Sequence, residues 1–219
     1  MNFKHYKATG LICFILAAFP ICIFITSKLG TIVGTLIPAD LIPLSEQIKY
    51  GLDILSPTFL FGLLLKTIDE KLWKYPFMKW LIDLPNLNGR YEGTGESSYE
   101  IDGKRATMQC AYEIKQTAST IYIDAFFKSD HTGKITSSGK MISGEIKKDP
   151  IGYSVLYFIY ENEPEMFEKE NGLLNHNGTS VLKYNANDKS LAGKYFTDRP
   201  TQGKICVTFK QDKLLGKFA

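Results

Sequence analysis

The sequence predicts a chain of two parts: two N-terminal transmembrane α-helices, followed by an all-β domain that forms an eight-stranded antiparallel β-barrel. The first 82 residues are crowded with Leu, Ile and Phe, whereas the remainder alternates polar and apolar residues and is rich in Gly, Ser, Thr and Tyr. The formal net charge of +3 over 219 residues is small for a protein that coats nucleic acid. We therefore expect no DNA or RNA polymer as a partner.

A first transmembrane helix is predicted at about residues 8–27. The run LICFILAAFPICIFI carries no charged residue, and with its flanks it approaches the roughly 20 residues that cross the hydrocarbon of a bilayer. A secretory signal peptide is the main alternative, but the exit sequence TSKLG lacks a small-x-small cleavage site. Pro20 removes one backbone N–H and is expected to kink this helix.

A second transmembrane helix is predicted at about residues 48–66, around the run LDILSPTFLFGLLL. Asp53 lies in this run, either at the membrane boundary or in a contact between copies of the chain. Lysines are denser at the outer ends of the two predicted helices than in the segment between them. By the positive-inside rule, both termini are therefore predicted to lie in the cytoplasm.

Residues 1–82 are predicted to form the membrane anchor, and residues 83–219 the cytoplasmic barrel. The anchor is expected to end in a juxtamembrane amphipathic helix, because KTIDEKLWKYPFMKWLIDLP mixes Trp, Tyr and Phe with lysines. The alternative is an ordinary amphipathic linker helix that packs on the next domain.

Short segments with period-two alternation follow Asn88 and are separated by Gly, Asp, Asn, Ser and Pro. Eight such antiparallel strands are enough to close a barrel that holds side chains or one small ligand. The predicted strands lie near Arg90–Gly95, Arg105–Gln116, Thr120–Phe127, Lys134–Ile146, Tyr153–Glu161, Thr179–Asn185, Ser190–Phe196 and Lys204–Gln211.

Alternation also predicts which face of each strand points inward. In STIYIDAFFKSD the odd-numbered residues are apolar, from Ile121 to Phe127, and the last strand agrees with Ile205, Val207 and Phe209. The segment YSVLYFIYE differs because both of its faces are apolar. Its outer face is either an association surface or is covered by the segment Pro164–Leu174.

No motif for catalysis is found: there is no G-x-S-x-G elbow, HExxH, Walker loop or GxGxxG. We therefore expect that the protein is not an enzyme. GTGES superficially resembles a phosphate-cradling loop but lacks the lysine and the helix, so a bulged first strand is favoured. No cysteine lies at metal-ligand spacing with a histidine, so we expect no metal site and four free thiols, Cys13, Cys22, Cys110 and Cys206.

One stretch, GKYFTDRPTQGKI, combines strand residues with an Asp-Arg-Pro corner and a Thr-Gln-Gly. If Lys194 and Asp198 face water, the period-two pattern turns the odd-numbered residues inward, from Tyr195 to Arg199 at the rim of the barrel. A ligand in the mouth of the barrel would meet these side chains there.

Arg199 offers a planar, permanently charged fork for a phosphate, and Tyr195 offers a ring on which a base can stack. Thr197 and Thr201 supply hydroxyl groups. The alternative is a solvated turn in which Asp198 and Arg199 are surface charges and Pro-Thr-Gln-Gly only shapes the backbone.

The order of these parts resembles a known family. The segments that carry the resemblance are LPNLNGRYEGTG, YFIYENEP, HNGTSVLKYN and GKYFTDRPTQGKI, and the run Tyr-x-Thr-x-Arg-x-Thr-x-Gly in the last one is the most specific. The chain resembles the membrane-anchored β-barrel effectors of bacterial CBASS anti-phage systems, the two-transmembrane, β-strand-rich effectors that are associated with SMODS nucleotidyltransferases and are STING-like in role. The first-strand GRYEG is generic to lipocalin-like barrels, and the expected barrel is lipocalin-like.

The resemblance implies that the barrel binds a cyclic dinucleotide, made by a cognate nucleotidyltransferase, as its activating ligand and needs no other cofactor. It also implies a multi-pass protein of the bacterial inner membrane, with its N-terminus and barrel in the cytoplasm. Ligand-promoted homo-oligomers would then disrupt the lipid bilayer and cause abortive infection. The ligand contacts expected from it are Tyr195, Thr197, Arg199 and Thr201, with Gln202, Tyr91 and Asn177 as second choices.

Two other classes of protein fit the sequence. A constitutive membrane scaffold or adaptor would use its barrel to bind a protein. A lipocalin-like carrier of an apolar ligand would need a dry cavity between the inward apolar residues of the third and eighth strands.

Overall fold

The computed structural model describes residues 2–36, 56–170 and 174–218. The chain forms two compact units, Met1–Leu84 together with Thr117–Ser119, and Pro85–Gln116 together with Thr120–Ala219. The two units are described in turn.

The first unit begins with a long apolar helix, α1 (Ala8–Leu36), which continues past Pro20. Among the described residues, α1 holds the one stretch long and apolar enough to cross a membrane, Ala8–Leu29, with a mean hydropathy of 2.6. This stretch contains the predicted first span, and the helix runs beyond the predicted end at residue 27.

Residues 56–67 form a second helix, α2. Its Phe61 ring stacks on Phe14, with ring centroids 6.1 Å apart, and meets Phe19 edge-on at 5.5 Å. The two helices therefore pack through aromatic side chains. Residues 48–55 of the predicted second span, including Asp53, lie outside the described residues, so the second membrane crossing stays a prediction.

The predicted juxtamembrane helix is wrong as a continuous element. Helix α2 passes into a π-helical turn, Ile68–Leu72, and the chain then makes only one turn of 3₁₀-helix, Pro76–Met78. Proline lacks a backbone N–H and disfavours helical geometry in the residue before it. Tyr75 accordingly has an extended backbone, with φ −82° and ψ 147°, and breaks the helix.

The segment after α2 builds a small apolar core within the first unit. Its buried members are Tyr6, Ile68, Trp73, Leu81, Ile82 and Ala118. The backbone N–H of Ala118 donates to the Asp69 carbonyl at 2.9 Å, and the Ser119 hydroxyl donates to the Asp69 carboxylate. By contrast, the side chains of Tyr75, Phe77 and Trp80 are exposed.

The second unit is a closed barrel in which each strand pairs antiparallel with the next and β8 pairs with β1. The strands are β1 (Gly89–Ile101), β2 (Lys104–Gln116), β3 (Ile121–Ser129), β4 (Ile135–Lys148), β5 (Ser154–Pro164), β6 (His176–Asn185), β7 (Ser190–Thr197) and β8 (Gln202–Gln211). A short helix, α3 (Met166–Glu170), follows β5. The eight-stranded antiparallel barrel predicted from the sequence is confirmed, with every predicted strand present.

The inward faces also agree with the prediction. Ile121, Ile123 and Ala125 of β3 are buried, as are Ile205 and Val207 of β8. These side chains fill the barrel interior, as expected where one face of each strand points to the core.

Strand β5 has one buried and one exposed apolar face. Leu156, Phe158 and Tyr160 point inward, whereas Tyr157 and Ile159 are 39% and 47% exposed. The described residues of the segment Pro164–Leu174 do not bury these two outer side chains, and an association surface on this face stays a prediction.

One end of the barrel holds a buried ion pair. Arg90 of β1 is fully buried, and its Nη1 donates to Oε1 of Glu113 on β2 at 2.6 Å. Its Nε donates to Oε1 of Glu92, also at 2.6 Å. The guanidinium charge is thus balanced inside the protein, which a charge removed from water requires.

The C-terminal tail is fastened to this ion pair. The backbone N–H groups of Leu215 and Gly216 donate to the Glu113 carboxylate, at 2.7 and 3.0 Å, and Arg90 Nη1 donates to the Lys217 carbonyl at 2.9 Å. Burial raises the pKa of Glu113, but the hydrogen bonds from Leu215, Arg90 and Gly216 outweigh it, so this pKa lies below its ordinary value of 4.5.

Candidate ligand-binding site

A cavity of about 500 Å³ opens at the other end of the barrel. Its lining residues come from the C-terminal ends of the odd-numbered strands and the N-terminal ends of the even-numbered strands. All eight strands therefore contribute to the cavity. Its volume falls in the range of roughly 300–1,000 Å³ that small-molecule sites occupy. Serine, threonine and tyrosine side chains alternate on its wall with apolar ones.

The loop between β7 and β8 forms one part of the rim and is tied by threonine side chains. Thr197 Oγ1 donates to the carbonyl of Arg199 or Thr201, each at 3.1 Å, and lies 2.6 Å from Thr201 Oγ1. The Thr197 N–H also donates to the Thr201 carbonyl at 3.1 Å. These bonds close the loop on itself, with Arg199 at its tip.

Arg199 lines the cavity and is half-buried. Its Nη2 is enclosed and has no hydrogen-bond partner in the described part of the chain. The neighbouring carboxylate of Asp198 instead accepts the backbone N–H of Asn177 at 2.9 Å. The guanidinium therefore has donor capacity left for an anion.

Two of the three tyrosines that line the cavity, Tyr160 and Tyr195, each lie over a glycine of the adjacent strand. A Cβ on Gly178 would lie 2.3 Å from Cζ of Tyr160, and a Cβ on Gly203 would lie 2.5 Å from Cε1 of Tyr195. Both glycines are the direct cross-strand partners of those tyrosines. The missing side chains let the rings fold flat onto the backbone, which sets the shape of the cavity wall.

Burial raises the pKa of the Tyr160 and Tyr195 phenols, and a hydrogen bond to Ser97 partly offsets this for Tyr195. Both rings thus stay neutral and keep an O–H at physiological pH. Burial lowers the pKa of His176, and the charge of Arg199 lowers it further. The histidine is consequently neutral at pH 7, so Arg199 is the fixed positive charge among the described lining residues.

The structure brings together four of the residues singled out in the sequence. Tyr195, Thr197, Arg199 and Thr201 all line the cavity. The inward phase expected for Arg199 is thus found, and its contact with a ligand stays a prediction.

The three second choices lie elsewhere. Gln202 and Asn177 are exposed and do not line the cavity. Tyr91 is 1% exposed and packs edge-on against Phe209, with ring centroids 5.7 Å apart, outside the cavity. Gln202 is the first residue of β8 and falls in the outward phase, which period two could have indicated.

The cavity residues that the sequence analysis did not predict as site residues include Phe127, Tyr160 and Asn162. Phe127 was assigned only to the core. Tyr160 and Asn162 lie in the same phase of β5, and the signal for them was present in its even-numbered positions. Because both faces of that strand are apolar, the sequence did not show whether its odd- or even-numbered residues point inward.

The family model of the Cap15 cyclic dinucleotide receptor domain matches residues 82–209, which is more than half of the chain. The chain belongs to this family. The matched Cap15 region contains every residue that lines the cavity. The resemblance to a CBASS effector that the sequence indicates is thereby confirmed for the receptor domain. Membership of the effector family with two transmembrane helices stays a prediction.

A Cap15 relative supports the same conclusion. The chain is 30% identical over 142 residues to "CD-NTase-associated protein 15" of Yersinia aleksiciae, a match that covers 64% of this chain and 62% of the relative. The chain thus spans about three fifths of the length of the curated relative that it matches.

Proposed function

We propose that the protein is the receptor and effector of a bacterial CBASS anti-phage system, and that its barrel binds a cyclic dinucleotide made by a cognate nucleotidyltransferase. The observation that carries this proposal is the unpartnered, enclosed Nη2 of Arg199 in a cavity of about 500 Å³ within the Cap15 receptor domain. The ligand acts as an activator, and the protein is not an enzyme.

The chemistry of the cavity fits the parts of such a ligand. A cyclic dinucleotide carries two phosphates, two bases and ribose hydroxyl groups. Arg199 supplies a charge-assisted donor for a phosphate. The rings of Tyr160 and Tyr195 supply aromatic surface for the bases, and the threonines supply hydroxyl groups. A carrier of an apolar ligand would not need these polar groups.

The proposal places the protein in the bacterial inner membrane as a multi-pass protein, with the N-terminus and the barrel in the cytoplasm. Support comes from the Ala8–Leu29 stretch of α1, of which only 11% of the most apolar window is buried within the protein. Exposed Tyr75, Phe77 and Trp80 lie among lysines, as is typical of residues at the headgroups. Helix α2 would belong to the second span.

Assembly of several copies is the proposed output of ligand binding. The ligand promotes assembly if it binds the assembled form better than the free form. The outer face of β4–β7 supports this step, because Ile142, Tyr157, Ile159 and Phe196 are all exposed there. Ile159 and Phe196 both pair with Thr179, one from each side, so the two apolar side chains lie in one row across β5, β6 and β7 with Thr179 between them. The assembled protein would then disrupt the bilayer and cause abortive infection.

A titration tests the receptor function. Full-length protein in nanodiscs is titrated by calorimetry with cyclic di-AMP, cyclic di-GMP, cyclic GMP–AMP and cyclic UMP–AMP. We expect micromolar or tighter binding of at least one of them, and at least tenfold weaker binding of the matching linear dinucleotide. Absence of binding by all four would overturn the proposal, as would growth arrest in cells that is the same with and without a cyclic-dinucleotide synthase.

Ile159→Lys is expected to block ligand-promoted assembly while leaving ligand affinity within about twofold, because it places a charge in the exposed apolar face. The measurement is the sedimentation of full-length protein in detergent, with and without the ligand found above. Tyr122→Lys is the matched control, since Tyr122 is 67% exposed on β3 and lies outside this face. Equal assembly of Ile159→Lys and wild type would remove this face from the proposal.

A further inference from the structure

A second polar group of the cavity also lacks a partner within the protein. Asn162 lies near the end of β5, is only 4% exposed and lines the cavity. Its Oδ1 makes no hydrogen bond with the described residues. A buried acceptor without a donor is unfavourable, so its presence in a well-packed barrel calls for an explanation.

The barrel satisfies its other buried amide side chain. Gln116, near the closed end, accepts the backbone N–H of Leu87 through Oε1 at 2.8 Å and donates from Nε2 to the Pro85 carbonyl at 3.1 Å. Gln116 is thus paired within the protein through both ends of its amide, although the barrel also leaves Arg90 Nη2 without a partner among the described residues. Asn162 differs in that its oxygen is left to be satisfied by whatever occupies the cavity.

The space beside Asn162 is bordered by an aromatic ring. Its cross-strand partner on β4 is Gly139, and a Cβ on that glycine would lie 3.5 Å from Asn162 Oδ1 and 3.6 Å from Cε2 of Phe127. Because Gly139 has no side chain, the amide and the phenylalanine edge face the same free volume. A planar group that entered there would contact an aromatic ring and present its edge to the amide.

The chemistry of the acceptor limits what that group can be. An oxygen acceptor needs an N–H or O–H donor; phosphate oxygens offer none, whereas the bases and the ribose hydroxyl groups do. Nucleobases carry amino and ring N–H donors on their edges, and asparagine is a frequent partner of such edges. Arg199 and Asn162 therefore address different parts of one ligand, the first a phosphate. The edge of Phe127 beside Asn162 favours a base over a ribose hydroxyl group as the partner of the amide.

We propose that Asn162 binds the hydrogen-bonding edge of one base of the cyclic dinucleotide and so determines which base the cavity prefers. This inference rests on the proposed receptor function. A site that hydrogen-bonds a donor rejects the analogue that lacks it, since the buried acceptor is then left unpaired.

The test removes the donor from the ligand and the acceptor from the protein. The cyclic dinucleotide that wild type binds best is compared with analogues in which the donor of one base is deleted, with purine for adenine, inosine for guanine or N3-methyluracil for uracil. We expect wild type to bind one analogue about 10- to 100-fold more weakly than the parent. Asn162→Leu and Asn162→Ala are expected to bind the parent more weakly and to distinguish it from that analogue by less than about threefold.

The control separates this role from a structural one. Glu161→Gln changes the exposed neighbour on the same strand and should keep the wild-type discrimination. Asn162→Leu should leave the melting temperature unchanged or raise it, because an apolar group of similar shape replaces an unsatisfied amide. Equal losses for parent and analogue in the Asn162 variants, or unchanged discrimination, would overturn the inference while the receptor function stands. Absence of any binding by wild type would overturn both.

Discussion

Arg199→Ala is expected to weaken the binding of a cyclic dinucleotide by about 30-fold or more, the largest change in affinity of any single substitution in the cavity. Nη2 of the guanidinium is enclosed and has no partner among the described residues, and the Thr197–Thr201 bonds tie the loop that carries it. A phosphate would meet a positioned donor there rather than a mobile surface charge. Calorimetric titration of the full-length protein in nanodiscs measures the effect.

Two further variants distinguish a specific phosphate contact from a general effect of positive charge. Arg199→Lys keeps the charge but loses the planar fork, so an intermediate loss of about tenfold is expected. Lys194→Ala removes the same charge from the outer face of β7, where the side chain is exposed, and should change affinity by less than about twofold. Unchanged binding by Arg199→Ala, or an equal loss in Lys194→Ala, would exclude a specific phosphate contact at Arg199.

Arg90→Met is expected to destabilise the barrel by about 3–5 kcal/mol, the largest change in stability. Glu113 is 5% exposed and would be left in the interior without its cation, while the Lys217 carbonyl would lose its donor. The measurement is unfolding by denaturant, monitored by the far-ultraviolet circular dichroism of the β-barrel. Arg105→Met is the matched control, because the Arg105–Glu96 pair is exposed and should contribute little to stability.

The same pair predicts a pH dependence. The pKa of Glu113 is lowered in the folded state, so its stabilising contribution is present above the ordinary value of 4.5 and is lost as pH falls below it through the folded-state pKa. Wild type should therefore lose stability on acidification in that range, and Arg90→Met should lose less. An equal dependence in the two proteins, or an Arg90→Met barrel as stable as Arg105→Met, would contradict the assigned role of the ion pair.

The strands were predictable because each has one buried face in a closed barrel. Apolar and polar residues therefore alternate along each strand. Strand ends were less predictable. Strand β1 runs on to Ile101 through polar residues that show no alternation, because a tight turn with positive φ at Asp102 and Gly103 extends the hairpin. Backbone pairing, not side-chain pattern, fixes its length.

The anchor shows where composition misleads. The aromatic and lysine residues after α2 fit a helix at the headgroups by composition, yet Pro76 ends helical geometry at Tyr75. Trp73, expected at the membrane surface, is 2% exposed in the core of the first unit. A local backbone constraint and tertiary packing override the compositional signal there.

The site was predictable where one strand has an unambiguous phase. Lys194 of β7 and Asp198, which follows the strand, mark its outward side, so Arg199 could be placed at the rim. Asn162 could not, because the preceding residues of β5 are apolar on both sides and only the pairing with Gly139 and His176 shows the direction of its side chain. Whether its Oδ1 finds a hydrogen-bond donor depends on the side chains of β4, β5 and β6 together, which the sequence of one strand does not show.

Closure of the barrel restricts how copies of this protein are able to join. Because β8 pairs with β1, both long sides of each strand are already occupied, and the described barrel has no free strand to which another could add. The folded barrel therefore cannot polymerise by adding its strands to a shared sheet, as cross-β fibres do. A compound intended to block assembly would need to match an outer side-chain surface, and a peptide that mimics a strand would find no place to dock.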